Sequence, residues 1–172
     1  MPLVRDFRTI SKFNIDTVSV SGRYIGKKVY WKFYAIENFY RIILHSILSL
    51  QLLPPDWWVQ AVDVKIQKKS NYRRHDYLVN PWHTMPGQHS VYFIDIGDLN
   101  EIARVNSDKL RVVIPDIDNF IARIETIRLP RNVVAHMSFL STIDRSRVDI
   151  IYEDFKALIK LVQKTIVLQV PK

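Results

Sequence analysis

The stretch Lys27–Gln51, KKVYWKFYAIENFYRIILHSILSLQ, decides the fold class. Val29, Phe33, Ile36, Tyr40, Ile43, Ile47 and Leu50 recur at spacings of three and four, the period that lines up one face of an α-helix. No Gly or Pro interrupts the run, and Pro54-Pro55 stops it. A long helix with one apolar face has to be covered by other elements, and the rest of the chain supplies more helices.

Ile117, Phe120, Ile121, Ile124 and Ile127 predict a helix that starts at Pro115-Asp116. Another runs from about Val148 to Val167, with Phe155, Leu158, Ile159, Val162 and Ile166 on one side and Lys156, Lys160 and Lys164 on the other. Asp98 followed by Glu101 resembles a capping arrangement and predicts a helix from about 98 to 106. Asp56 is the candidate N-cap of a short helix opened by Trp57-Trp58, a pair that reads as a core corner. Apolar residues resume after Pro130 at Val133, Val134 and Met137, which places Pro130 at the first position of a new helical segment. Asn80-Pro81 and Met85-Pro86-Gly87 read as loop. Near the N-terminus, Ile15, Val18 and Val20 among Thr17, Ser19 and Ser21 predict an extended piece before a turn at Gly22–Gly26. The expected architecture is all-α: one domain over residues 1–172, a helical core of four to five helices over 27–168, and a short irregular N-terminal segment over 1–26.

Composition narrows the function. The chain has no cysteine, which removes disulfides, zinc knuckles, iron–sulfur clusters and thiol nucleophiles together. A net charge of +8 and a pI near 9.7 point to a polyanionic partner, nucleic acid or anionic membrane. Membrane is the weaker candidate, because the most apolar stretch, Ile42 to Leu53, is only about 12 residues and cannot span a bilayer. The start, MPLVRDFRTI, lacks the apolar core of a signal peptide. A soluble, cytoplasmic, nucleic-acid-directed domain is expected.

Gly22-Arg-Tyr-Ile-Gly26-Lys27-Lys28 invites comparison with a phosphate-binding loop. That loop needs four residues between its glycines and a Ser or Thr after the lysine; here the gap is three and Lys28 stands in the hydroxyl's place, so a basic turn is the reading. His75, His83, His89 and Asp76 share a polar region without metal-ligand spacing, and no metal or cofactor is expected. His45, among apolar neighbours, reads as a hydrogen-bonded structural histidine. Lys65, Lys68, Lys69, Arg73 and Arg74, interleaved with Tyr72, either track a phosphate backbone or form a solvated helix end and loop. Arg128 adds a further cation near the next segment.

That segment is Arg128-Leu-Pro-Arg131-Asn132-Val-Val-Ala135-His136. Five residues on a regular helix amount to about 140° of rotation, so Arg131 and His136 do not share a face, whereas Asn132 and His136 do. From spacing alone, a surface arginine near the helix start and a packed histidine are the favoured reading.

Here the sequence resembles the HEPN superfamily of all-α domains, whose R-x4-6-H motif often carries a polar residue after the arginine. Arg131-Asn132-Val133-Val134-Ala135-His136 is similar to its RN-x-x-A-H form. Softer similarity lies in Ala35–Arg41, Pro55–Trp58 and Val91–Leu99, and together the stretches cover about residues 29–168. The resemblance implies a metal-independent endoribonuclease. RNA would be the substrate, and a homodimer would build one composite cleft from two motifs. His136 would be the acid/base group, Arg131 the binder of the scissile phosphate, and Asn132 a hydrogen-bonding partner of either. The ends would be 2′,3′-cyclic phosphate and 5′-OH. A toxin or phage-defence setting, with an antitoxin or defence partner protein, is implied by the same analogy. The alternatives are a non-catalytic RNA- or nucleotide-binding module and a dimerisation module that regulates a partner.

Overall fold

The computed structural model of the chain describes residues 6–9, 14–52 and 56–172. Among them, every regular element is helical. The helices are α1 (Ile15–Ile25), α2 (Trp31–Gln51), α3 (Trp57–Ala61), α4 (Val64–Leu78), α5 (Ile96–Val105), α6 (Ser107–Arg111), α7 (Ile117–Glu125), α8 (Arg128–Ala135) and α9 (Thr142–Val162). This exceeds the expected four to five because short breaks divide stretches that read as continuous and because α1 and α4 form where extended chain or loop was expected. The stop at Pro54-Pro55 falls outside the described residues.

The expected extended piece over 15–20 is a helix. Asn14, in an extended conformation, accepts hydrogen bonds at Oδ1 from the amides of Asp16 (2.8 Å) and Thr17 (3.3 Å), and that cap commits the following residues to α1. The expected turn at Gly22–Gly26 is also absent. The backbone stays right-handed helical and passes through one wider π turn, Gly26–Tyr30, straight into α2.

The core lies between α2 and α9, with α5, α6 and α7 packed around it. α2 buries Phe33, Ile36, Tyr40, Ile43, Leu44, Ile47 and Leu48, and α9 buries Val148, Ile151, Phe155 and Val162. Leu50, expected on the same stripe, is exposed. Tyr40, Phe120 and Phe155 form a ring cluster with centroids 5.1–5.8 Å apart that joins α2, α7 and α9. The Tyr40 hydroxyl is satisfied inside it, donating to Asn100 Oδ1 at 2.9 Å.

Trp57 and Trp58 are buried as a core corner, with Asp56 as the cap of α3. His45 is a structural histidine: its Nδ1 accepts from Trp57 Nε1 at 2.8 Å. The basic run over 65–74 is neither a helix end nor a loop but the body of α4, started by Asp63, whose Oδ1 accepts from Lys65 N at 2.7 Å. Asp98 is not the cap of α5. Asp95 is, and Asp98 is its reciprocal partner three residues on, so the helix begins ahead of the expected position. α9 likewise begins earlier, at Thr142, because Ser141 caps it. No described helix is long and apolar enough to cross a membrane.

Candidate active site around Arg131

α8 begins at Arg128, two residues before Pro130, instead of at it. Pro130 occupies the third position of the first turn, where an amide has no intrahelical partner, so its missing N–H costs nothing. The first intrahelical bond is donated by the next residue, from Arg131 N to Ile127 O at 2.9 Å. The helix ends at His136, whose N–H still bonds Asn132 O. Met137 then takes φ 55, Met137 N bonds Val134 O and Ser138 N bonds Val133 O. This is a Schellman termination with methionine at the left-handed position that glycine normally takes.

The three motif residues point in different directions. Arg131 turns inward and donates from Nε to Glu37 Oε1 at 2.7 Å. Glu37 Oε2 accepts from Arg41 Nη2 at 2.9 Å, so one buried carboxylate on α2 bridges two arginines. Arg41 is fixed further by the carbonyls of Val91 (3.2 Å), inside the short 3-10 turn Ser90–Phe93, and of Ile94 (3.0 Å), the residue that ends it. Burial of these charges is tolerable because each has a partner of good geometry. The terminal nitrogens of Arg131 make no hydrogen bond to any described residue. They are the groups free to grip a planar pair of anionic oxygens.

Arg41 and Arg131 form the wall shared by two clefts. One, of about 160 Å³, is lined by Tyr30, Tyr34 and Asn38. The other, of about 410 Å³ and more polar, is lined by Arg73, Tyr77, Tyr92 and Asp95. Asn132 and His136 are exposed at the other side of α8, and neither lines either cleft. Within one chain Arg131 and His136 do not converge, because Glu37 holds Arg131 the other way.

The basic residues of α4 divide by their partners. Lys69 Nζ bridges Asp95 Oδ2 (2.9 Å) and Asp98 Oδ2 (2.7 Å). Burial opposes its charge, but bonds to Asp98 and Asp95 outweigh that and hold its pKa above the ordinary lysine value. Desolvation likewise pushes the Asp95 carboxyl up, yet Lys69 brings it down to about 2. Arg73 donates to Phe93 O (3.1 Å) and pairs with Asp95 at 3.4 Å. Arg74 Nε is buried without a partner among the described residues. Lys65 and Lys68 are exposed and make no ion pair with a described residue, so they carry the accessible charge of the helix. Arg128 pairs with Glu125.

The four polar residues of the histidine region do not converge. His75, Asp76 and His83 are exposed, while His89 is buried and stacked on Trp57 at 5.4 Å. Sequence reasoning about the site overlooked Glu37 and Arg41. Their signal was present: two opposite charges at i and i+4 beside the most apolar face of the chain, where a charge needs a partner. No family model matches the chain, and no curated protein or solved structure matches it either.

Proposed function

We propose that the chain is a metal-independent endoribonuclease of the HEPN type that acts as a homodimer on RNA. The observation that carries this reading is Arg131, anchored through Nε by buried Glu37, with its two terminal nitrogens left without a partner among the described residues beside a polar cleft. An arginine held in that manner is preorganised for a phosphate and needs little rearrangement when negative charge grows on its oxygens. His136 sits at the exposed end of the same helix, and exposed Met137 adjoins it. A second copy docked across this end would bring its imidazole to the cleft that its mate's Arg131 lines.

The chemistry balances without an external reactant. His136 takes the proton of the ribose 2′-OH, whose oxygen bonds the adjacent phosphorus, and the bond to the 5′ oxygen breaks. The departing oxygen takes a proton from an acid in the composite site, the second histidine. Cyclic phosphate and 5′-OH ends result. Asn132, one turn before His136, orients the imidazole or the phosphate. Lys65 and Lys68 draw the RNA in. A cytoplasmic toxin or defence role, restrained by a partner protein, is the setting that the family analogy suggests.

The test incubates the purified chain and its His136→Ala variant with RNA in excess EDTA. Cyclic-phosphate ends made only by the parent support the reading; equal cleavage by both removes His136 from the chemistry. A second reading, RNA binding without turnover, is favoured by the placement of His136 outside both clefts of a single chain. It is supported if RNA stays intact while its binding falls steeply with salt.

A further inference from the structure

The basic run at Gly22–Lys28 has no part in the site above, yet it borders a separate cleft. Of about 230 Å³, this cleft lies between α1, the π turn, α2 and the first turns of α9. Its walls include Tyr24, Lys28, Lys32, Thr142, Arg145 and Asp149. Three cations, each from a different element, face the single carboxylate of Asp149, which is paired with Lys32. π turns concentrate at functional positions, and this one carries Lys28.

Arg145 sets the chemistry. Its guanidinium is 5.3 Å from the Tyr24 ring and 5.7 Å from the Phe139 ring, two rings that stack on one another at 5.7 Å. It donates from Nη1 to the Tyr24 hydroxyl and from Nη2 to Thr142 Oγ1 at 2.9 Å. Because both hydroxyl oxygens accept from arginine, each keeps its own hydrogen to donate elsewhere. Ser146 on the rim is already committed as a donor to Thr142 O at 3.1 Å. The cleft therefore presents two O–H donors and the ammonium of exposed Lys28. It suits a ligand that only accepts hydrogen bonds and carries negative charge.

We infer that this cleft binds a phosphate group, either free or as part of an RNA backbone. The sequence motif is not a phosphate-binding loop, but its lysine and tyrosine are delivered to the same kind of ligand by a helical route.

The full chain is titrated calorimetrically with inorganic phosphate at constant ionic strength, and separately with a single-stranded oligoribonucleotide methylated at every 2′-OH so that it cannot be cut. Saturable phosphate binding is expected, weakened about tenfold by Lys28→Glu and several-fold by Thr142→Val, with unchanged melting temperatures. Lys164→Glu, an equal change of charge elsewhere on the surface, is expected to leave phosphate affinity nearly unaltered. A parallel loss with the oligoribonucleotide identifies RNA as the source of the phosphate; a loss with phosphate alone identifies a free one. No saturable binding by the parent, or equal weakening by Lys28→Glu and Lys164→Glu, overturns the inference. None of these readouts uses cleavage, so a failed ribonuclease assay leaves them unaffected.

Discussion

Glu37 and Arg131 are joined by one hydrogen bond of 2.7 Å that crosses 94 positions of sequence and ties α2 to α8. The same carboxylate holds Arg41, so its removal strands two partly buried guanidinium groups. Glu37→Ala should therefore destabilise the chain by about 3 kcal/mol in urea unfolding, the usual cost of breaking a buried pair from one side. Glu37→Gln, which keeps the shape and one acceptor, should cost less while still loosening Arg131. A loss below about 0.5 kcal/mol for the alanine variant would show that the bridge holds nothing.

Arg131→Lys keeps the charge but loses the fork. Lysine cannot hold Glu37 with one nitrogen and present two others. On the proposed mechanism, cleavage should fall about 10²-fold, with a melting temperature close to that of the parent. Unchanged turnover would mean that Arg131 is structural only.

Stability should decline as the solution is acidified through the histidine range. His89 and His45 lie 5.3 Å apart, both against the buried Trp57 ring, and His89 also meets the edge of Trp58. Burial lowers the pKa of both, His45 is lowered further by the His89 charge, and Asp56 only partly restores His89. His89 Nδ1 also accepts from Val91 N at 3.1 Å, so a proton there would set donor against donor. Below the ordinary value of about 6.5, the unfolded chain binds protons that the folded chain refuses, and stability is lost as pH falls. The urea midpoint should drop between about pH 7.5 and about pH 5, and His45→Gln should flatten that slope. Asp95, held at about 2, adds its own loss only below about pH 4. A flat profile across the histidine range would refute the account.

Met137→Gly should stabilise the chain. Met137 is exposed and adopts φ 55, where a side chain is strained and glycine is not. A gain of about 0.5–1 kcal/mol is expected after glycine's own entropy is offset. Met137→Ala, with the same strain, should gain nothing. If the two variants behave alike, the left-handed turn at the end of α8 is unstrained.

The parts of the fold that were legible in the sequence are those where burial follows the helical period. α2 and α7 show every third or fourth residue apolar, and the core uses nearly all of them. α1 and α4 were misread for a common reason: each exposes most of its surface, so burial left little pattern. α1 buries only Ser21, and α4 only Ile66 and Ser70. Their caps, Asn14 and Asp63, carried the information instead. At the site, the motif on α8 was visible but its direction was not. Which way Arg131 turns is set by Glu37, and no local pattern connects residues so far apart along the chain.

The π turn at Gly26–Tyr30 also bears on how this chain can change in length. A single π turn amounts to one residue inserted into a regular helix, which turns everything before it by about 100° relative to everything after. Deleting one residue there, other than buried Val29, would fuse α1 and α2 into one uniform helix at little cost to the core, since α1 adds little to it. It would also swing Tyr24 away from Phe139 and dismantle the stack that holds Arg145. Apart from Tyr24, the N-terminal helix is thus free to vary in composition but not in register. A lineage that loses one codon in this turn should keep the bundle and forfeit whatever the cleft beside α9 does.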